Sequence, residues 1–477
     1  MALNIESLLS EAQGQNYELH NEHINPAFTK VLRTIGFDRN YVRAEGQYLW
    51  DDKGNKYLDM LAGYGVFNIG RNNATIKKTL IDFLNSNYPS LVQLDAPLLS
   101  GLLAKELKNR LPCQLDYVYF TNSGSEGVET AIKFARCATG RTGIIHAEKS
   151  FHGLTTGSLA INGDDTFKEG FYPLMPDVHT VPFNDLAALE EALATNEIAA
   201  FIVEPIQGKG VNIPDKGYLS DAARLCRKYN ALFIVDEVQT GLGRTGKFLA
   251  VEHDEDVNPD MVILSKALSG GYVPVGAVIT NKWVFKKVFS SLERSVVHSS
   301  TFGQGSLAMV AGLATLDYID DKKLIENASK MGNLAGSLLQ GLSEQYEFIY
   351  DVRWRGLMIA VEFAKPKSFS LRAAWDLVHK LNKDLFPQAV TIPMLQDYQI
   401  LTQVAGHHID VIKLIPPLVI DEGDVNYFVS SFSKVMDNLH KFPGPVWEAL
   451  SRIGKSAFTR NTTDEKSQCP SYQQENT

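Results

Sequence analysis

The sequence predicts an α/β protein: a large domain on a mostly parallel sheet covered by helices, with a smaller α+β domain beside it. Between residues 117 and 280, short apolar runs rich in β-branched residues alternate with helix-sized segments. Such continuous apolar runs are typical of parallel strands buried on both faces. With 477 residues, 44% of them hydrophobic, the chain can bury a core of that size.

Six of these runs are predicted as the strands of the sheet. They are Tyr117–Phe120, Gly143–His146, Ala200–Glu204, Ala231–Asp236, Asp260–Leu264 and Val275–Ile279. In open sheets of this class, ligands bind beyond the carboxyl ends of the strands. The residues that follow each run are therefore the candidates for a functional site.

Segments on both sides of this sheet are predicted to form the smaller domain. The predicted divisions are an N-terminal segment at 1–75, a large domain at 76–325, a C-terminal small domain at 326–457 and a flexible tail at 458–477. The predicted elements outside the sheet are a hairpin around Asp52–Asn55, strands at Leu357–Phe363 and Val411–Leu414, and a helix near Val425–Leu439. The tail is predicted because its polar residues cannot offset the entropy of ordering.

Charge and composition argue against several classes of protein. Lys and Arg total 46 against 55 Asp and Glu, a net charge of −9. The sequence has no basic stripe, so nucleic acid is not expected as a partner. The four cysteines form no CxxC pair, which argues against a metal site or a disulfide framework and fits a cytoplasmic setting. The N-terminus does not resemble a signal peptide and no apolar window is long enough to cross a bilayer, so no membrane is expected.

The first candidate site is the run Thr121–Gly127, TNSGSEG, between the first predicted strand and a helix. Small residues leave backbone N–H groups open at a helix N-terminus, where the helix dipole favours an anion such as phosphate. The alternative is an ordinary strand-to-helix turn with a serine cap.

The second candidate is Asp236, directly after the apolar run ALFIV. A carboxylate at the end of so apolar a strand is costly to bury unless it meets a cation, a metal or a protonated heterocycle. The alternative is a carboxylate that caps neighbouring backbone N–H groups.

The third candidate is Lys266, just past another predicted strand. In the crevice at the sheet edge, desolvation would lower the pKa of its amine and make it a nucleophile able to form a Schiff base. The alternative is a surface lysine whose stem packs on apolar neighbours.

The run Gly241–Gly246, GLGRTG, matches the dinucleotide pattern GxGxxG. That fingerprint requires a helix directly after the glycines, and the following KFLAVEHDED has no helical period. The match is interpreted as accidental.

A phosphate cradle, a strand-end acid and a strand-end lysine are together the groups that a phosphorylated pyridine aldehyde requires. With these motifs, the sequence resembles a class III (ornithine/ω-amino acid type) pyridoxal-phosphate-dependent aminotransferase of fold type I, from about Tyr48 to Ile420. The resemblance implies pyridoxal 5'-phosphate as cofactor. It also implies a set of cofactor-binding residues: Gly124, Ser125, Phe151, His152, Glu204, Asp236, Val238, Gln239, Lys266 and Thr301.

The resemblance gives these residues different roles. Gly124 and Ser125 would bind the phosphate, Phe151 in SFHG would stack on the ring, and Glu204 in EPIQG is the family's active-site glutamate. In VDEVQTG, Asp236 would hold the proton on the pyridine nitrogen, Val238 would lie behind the ring and Gln239 would contact its phenolic oxygen. The catalytic pair would be Asp236 and Lys266, the lysine serving as Schiff base and proton carrier.

The segment HSSTFG resembles one that crosses a dimer interface in this family. Thr301, with Ser300, would then contact the phosphate of the other subunit, so that a homodimer with shared active sites is implied. Tyr64 in AGYGVFNIG falls where the family places a substrate-pocket aromatic, and an interface aromatic is the other interpretation.

Two positions depart from the family pattern. Ornithine-type members have an acid after EPIQG that pairs with an arginine before PPL, and that arginine binds a substrate α-carboxylate; Lys209 and Lys413 stand there instead. Lysine lacks the planar fork that grips a carboxylate. The expected donor is therefore a small-molecule amine with modest or no α-carboxylate: a diamine, an ω-amino acid or an alkyl amine.

Residues 385–410 are longer and more apolar than expected between these motifs. They are interpreted either as the wall of a pocket for an alkyl chain or a carrier-bound acyl group, or as a packed surface excursion.

The implied reaction is a ping-pong transfer of an amino group to a keto acid or aldehyde. Alternatives on the same fold are an ornithine or acetylornithine aminotransferase, a racemase, an aminomutase and a decarboxylase. Gln239 and the surroundings of Lys266 favour transfer. A regulator or scaffold without activity is a further alternative, for which no DNA-binding or repeat module is visible.

Overall fold

The computed structural model describes residues 3–91, 95–113, 115–383, 385–407, 409–441, 443–444 and 447. The tail predicted at 458–477 lies outside the described residues. The α/β class predicted from the sequence is confirmed. The division into domains stays a prediction.

The N-terminal region begins with three helices whose apolar side chains are largely exposed and continues into a meander of three strands. Its elements are α1 (Ile5–Glu11), α2 (Asn16–His23), α3 (Pro26–Thr34), β1 (Tyr41–Glu45), β2 (Tyr48–Asp51), β3 (Lys56–Asp59), a short α4 (Ala62–Gly65), α5 (Ala74–Asn85) and α6 (Leu98–Asn109). The predicted hairpin is confirmed, because β2 and β3 pair antiparallel. The Asp51 carboxylate holds its turn by accepting hydrogen bonds from the N–H groups of Lys53 and Asn55.

The central sheet has seven strands in the order β4-β10-β9-β8-β7-β5-β6. The strands are β4 (Tyr117–Thr121), β5 (Gly143–Ala147), β6 (Val178–Val181), β7 (Ile198–Val203), β8 (Leu232–Asp236), β9 (Met261–Leu264) and β10 (Gly276–Thr280). All pairs are parallel except those of β10, which runs antiparallel to both β4 and β9. The carboxyl ends of the other six strands therefore lie at one edge.

Both faces of this sheet are buried. Along β8, Phe233 and Val235 pack into one apolar cluster and Ile234 into another on the opposite face, as the two-residue period of a strand requires. The helices of this part of the chain are α7 (Gly124–Thr139), α8 (Thr156–Ala160), α9 (Leu186–Leu193), α10 (Tyr218–Lys228), α11 (Lys282–Val288) and α12 (Ser306–Asp321). They explain why the strand sequences are apolar throughout.

The C-terminal region has a four-stranded sheet of order β11-β12-β15-β14. Its elements are α13 (Leu324–Ser343), β11 (Ile349–Arg355), β12 (Met358–Phe363), α14 (Phe369–Leu381), α15 (Leu385–Tyr398), β13 (Ile400–Leu401), β14 (Gln403–Val404), β15 (Val411–Leu414) and α16 (Glu422–Leu439). Strand β13 leaves this sheet to pair with β3 of the N-terminal meander. None of the described helices is long and apolar enough to cross a membrane.

The apolar stretch after residue 385 is a core helix. In α15, Phe386 is fully buried and packs against Phe348, Phe363 and Trp375. Its side chains therefore fill the C-terminal core, which neither interpretation of this stretch expected. In the loop between β14 and β15, Gly406 lies against the side chain of Lys209, which directly follows the EPIQG motif.

The GLGRTG run forms turns after β8, and the next regular element is a short 3-10 helix at Ala250–His253. Its Arg244 is fully buried and donates hydrogen bonds to the carbonyls of Leu357 and Pro416 and to the side chain of Asn68. Burial lowers the pKa of Arg244 to about 9. The segment thus joins three parts of the chain and lacks the helix that a dinucleotide site needs.

Candidate active site

The candidate site lies at the carboxyl edge of the large sheet. Asp236 ends β8, Glu204 follows β7, Lys266 follows β9, and the N-terminus of α7 follows β4. Because neighbouring parallel strands end at the same edge, residues more than 100 positions apart meet there. The three groups singled out from the sequence are brought to one place.

Asp236 is held by two hydrogen bonds. Its Oδ2 lies 2.7 Å from Nδ1 of His152, and its Oδ1 accepts the N–H of Val238 at 3.1 Å. Burial works to lower the pKa of His152, but the hydrogen bond and charge of Asp236 outweigh it and raise that pKa. Since Nδ1 faces a carboxylate it carries a proton, and a carboxylate with about four acceptor positions still has room for another donor.

The backbone of His152 is also held in place. Its backbone N–H donates to Asn162 Oδ1 at 2.7 Å, and Asn162 in turn donates to the carbonyl of Gly153. Nε2 of His152 is buried and has no hydrogen-bond partner among the described residues. His152 therefore sets the position of Asp236, and its predicted contact with the cofactor stays a prediction.

Glu204 ties two loops together behind the edge. It accepts the N–H of Phe151 at 3.0 Å and the N–H of Gly208 at 2.9 Å. Burial raises the pKa of Glu204, and nearby Asp236 acts in the same direction, while His152 opposes them. Phe151 keeps its ring partly exposed and packs edge-on against Phe167, with 5.5 Å between the centroids.

Lys266 lies within electrostatic reach of both acids. Burial lowers the pKa of its amine, while the charges of Asp236 and Glu204 act to raise it. Its φ of +40° lies in the left-handed region, which a residue with a side chain adopts only when its surroundings demand it. A lysine held this way has a larger neutral fraction than a surface lysine, and the neutral amine is the nucleophile.

The start of α7 is shaped to receive an anion. Ser123 caps the helix by accepting the N–H of Glu126, and the N–H groups of Gly124 and Ser125 have no acceptor within the helix. A Cβ on Gly124 would lie 2.9 Å from a methyl of Val238, so only glycine allows this close approach. The terminus therefore sits directly against the residue predicted to lie behind the cofactor ring.

Lys413 of β15 is brought into the same site from the C-terminal sheet. It is 5% exposed, and its Nζ donates to the carbonyl of Gly208 at 2.8 Å and lies 3.4 Å from Gln239 Oε1. Burial, reinforced by the charge of Lys266, lowers the pKa of Lys413 to about 7, although Glu204 opposes this. Gln239 also donates to the backbone carbonyl of Tyr64, whose ring is more than half exposed.

Lys209 has a different partner. Its Nζ forms an ion pair with Asp164, and both side chains are largely buried. Thr301 is exposed, whereas Ser300 accepts a hydrogen bond at 2.7 Å from Asn122 of the same chain, just before α7. The part played by Thr301 in a second subunit stays a prediction.

These residues fit pyridoxal phosphate. The donor set supplies an amine at Lys266, an acceptor with spare capacity at Asp236 and free N–H groups at a helix terminus where a glycine leaves space. These are the acceptor, nucleophile and anion site that the phosphorylated pyridine aldehyde needs. Phe151 and Val238 offer apolar contacts near them.

Three supporting residues were missed from the sequence: Asn162, Gly208 and Asp164. Gly208 acts through its backbone N–H and carbonyl, and Asn162 through side-chain hydrogen bonds to the backbone of His152 and Gly153, and residue type reveals neither partner. Asp164 sits in the run NGDDT, a turn-like composition whose two adjacent acids gave no sign of which one is buried.

Comparison with known proteins places the chain among aminotransferases. The family model described as aminotransferase class-III matches residues 33–436. The aminotransferase PigE of Serratia sp. (strain ATCC 39006) is 34% identical over 463 residues, which are 90% of this chain and 54% of PigE. The chain thus spans about half the length of that relative.

Solved structures with the same fold match this chain over nearly their whole length. The ornithine aminotransferase of Toxoplasma gondii ME49 has a TM-score of 0.78 and 28% identity, over 92% of this chain and 99% of that one. The acetylornithine aminotransferase of Elizabethkingia anophelis has a TM-score of 0.66 and 34% identity, over 86% and 98%. The omega transaminase of Pseudomonas jessenii in complex with PMP has a TM-score of 0.76 and 26% identity, over 86% and 94%.

Proposed function

This chain belongs to the class-III aminotransferase family of pyridoxal-phosphate-dependent enzymes, and on that premise we propose that it transfers the amino group of a donor with little or no α-carboxylate to a keto acid or an aldehyde. The comparisons show the family, its fold type and its cofactor, and the transaminase activity of this chain is part of the proposal. The choice of donor is the new statement. The donor preference is supported by the partners that Lys209 and Lys413 have in the structure.

The catalytic roles are proposed from the sheet edge. Bound pyridoxal phosphate supplies an electron sink for the charge that develops when a proton leaves the amine-bearing carbon. Lys266 Nζ is the nearby base that takes up and returns this proton. Asp236 would accept the N–H of the ring, and His152, donating to the same carboxylate, keeps Asp236 oriented.

The remaining residues bind and orient. The N–H groups of Gly124 and Ser125 hold the phosphate at the positive end of α7. Phe151 and Val238 enclose the ring, and Glu204 fixes the backbone of the loop that carries Phe151. Gln239, already bonded to Tyr64, faces the same space.

The donor preference is supported by the cations of the pocket. The Nζ of Lys413 donates a hydrogen bond to the carbonyl of Gly208. Because its pKa is about 7, Lys413 is only partly charged at neutral pH. Lys209 is paired with Asp164. One partly charged lysine grips a carboxylate less firmly than an arginine fork, so donors such as diamines, ω-amino acids and alkyl amines are favoured.

A homodimer is part of the proposal. The segment around Thr301 exposes Leu292, Val296 and Phe302 at 90%, 75% and 67%. Apolar side chains this exposed are typical of a surface that another chain covers. The cytoplasmic location and a carrier-bound acyl substrate remain proposals that rest on the sequence alone.

A donor panel tests the function. The purified chain, loaded with pyridoxal phosphate, would be mixed with a diamine, an ω-amino acid, an alkyl amine or ornithine, and conversion of the bound cofactor to its pyridoxamine form followed by absorbance. We expect conversion by the first three, reversed by pyruvate, 2-oxoglutarate or a long-chain aldehyde. Faster conversion by ornithine would favour the ornithine-type alternative; product without conversion would favour a racemase or decarboxylase.

A further inference from the structure

The residue after the EPIQG motif carries a charge that the structure keeps out of the pocket. Lys209 directly follows Gly208, whose N–H binds Glu204 and whose carbonyl binds Lys413. The backbone of Lys209 thus begins at the floor of the site. Its amine nevertheless bonds to Asp164 and not to either of these groups.

Asp164 is built to hold that amine. Burial acts to raise its pKa, but the hydrogen bond from Lys209 and the N–H of Thr166 lower it, so Asp164 stays a carboxylate at any working pH. His407 approaches the same carboxylate oxygen at 3.5 Å. The side chains of Lys209 and Asp164 are only 14% and 11% exposed, so water weakens their attraction little.

The stem of Lys209 is guided along this path. A Cβ on Gly406 would lie 2.5 to 3.0 Å from three carbons of that stem, so the loop between β14 and β15 makes room for it. The ring of His407 then packs on Phe167, and Phe167 packs on Phe151. The ion pair of Lys209 and Asp164 is therefore linked to Phe151 through His407 and Phe167.

We propose that Asp164 is a specificity-determining residue: by sequestering Lys209, it denies the substrate pocket a second cation and so disfavours substrates that carry an α-carboxylate. This rests on the proposed function and deepens it. Released from Asp164, the flexible four-carbon stem could turn back past Gly208 toward the pocket, where an ammonium would attract a carboxylate.

The test is a double-mutant cycle on the loaded enzyme. In Asp164→Asn, we expect KM for an α-amino acid donor to fall about threefold to tenfold, while KM for an alkyl amine changes less than about twofold. Adding Lys209→Met to Asp164→Asn should restore the original KM, because the freed ammonium is gone. Asp165→Asn, which removes the exposed neighbouring acid paired with Lys168, is the matched control.

The outcomes separate this inference from the function it rests on. If KM for the α-amino acid does not fall in Asp164→Asn, or if the fall persists without Lys209, sequestration is wrong. If the unmutated enzyme converts no carboxylate-free amine, the proposed function fails first. Thermal unfolding of each variant identifies any that do not fold, and Lys209→Met alone, which should leave KM for the alkyl amine unchanged, then serves as the second probe.

Discussion

Charged side chains at the sheet edge and in the segments that face it are held by different kinds of contact. At the edge, Asp236, Glu204 and Lys266 stand at the ends of buried strands, and the carboxylates are fixed by short hydrogen bonds. In the segments that face it, Lys209 of the loop after β7 bonds to Asp164, and Lys413 of β15 bonds to a backbone carbonyl. In the proposed function, the sheet edge carries the chemistry, while substrate choice depends on the partners of Lys209 and Lys413.

This contrast predicts where variants act. Changes at the edge should abolish or slow turnover for every substrate, because every substrate uses the same proton transfer. Changes in the loops should alter KM for some substrates and leave others alone. A loop variant that slowed all substrates equally would remove the distinction.

Lys266→Ala should have the largest effect. Loss of both the attachment amine and the base is expected to reduce kcat by at least about a thousandfold. Borohydride treatment of the loaded protein, followed by peptide mass mapping, should place the cofactor on Lys266 in the original chain and nowhere in the variant. Trapping on Lys413, the neighbouring amine, would show that the assignment of Lys266 is wrong.

Asp236→Asn should come next, with a loss of about a hundredfold to a thousandfold in kcat. Asparagine cannot stabilise a proton on the ring nitrogen, so the electron sink weakens. Asp260→Asn is a matched control, since Asp260 lies just before the opposite end of the same sheet and bonds the N–H of Phe233. Equal losses of kcat in both variants, with unfolding unchanged, would contradict the special role of the carboxyl edge.

Gly124→Ala should weaken cofactor binding by about fivefold to tenfold without preventing folding. Its Cβ would meet Val238 and push the helix terminus away from the phosphate position. Gly101→Ala in α6 is the control, because a Cβ there meets nothing within 4 Å. Equilibrium dialysis of pyridoxal phosphate measures both, and unchanged affinity in Gly124→Ala would argue against a phosphate site at α7.

The sheet edge was predictable because strand-end position is visible in sequence. Asp236 and Lys266 each follow an apolar run, and one topological rule brings them together. Strand β6 was missed because its sequence, VHTV, is half-exposed at the sheet's margin and lacks an apolar run. The reversed direction of β10 follows from a connection from β9 too short for a crossover helix, and the apolar runs carry no sign of strand direction.

The loop pairings were not predictable from sequence. Lys413 and Gly208 are 205 positions apart. The hydrogen bond between them joins the C-terminal sheet to a loop that follows β7 of the central sheet. A lysine in an arginine position announces a weaker carboxylate site, but not which acceptor it finds. Likewise, nothing in the run after residue 385 distinguishes a pocket wall from a core helix until Phe386 has partners.

The last prediction concerns Lys413 and sharpens the comparison through pH. With its pKa lowered to about 7, Lys413 is a cation below that pH and neutral above it. KM for a keto acid acceptor should therefore rise as pH increases, by about tenfold between pH 6 and pH 8, because only the cation attracts its carboxylate. KM for an aldehyde acceptor, measured at the same pH values, cancels the titration of Lys266 and other shared groups. In Lys413→Arg the rise should vanish, since a guanidinium stays charged; a rise that persists there would mean that carboxylate binding is controlled by another group.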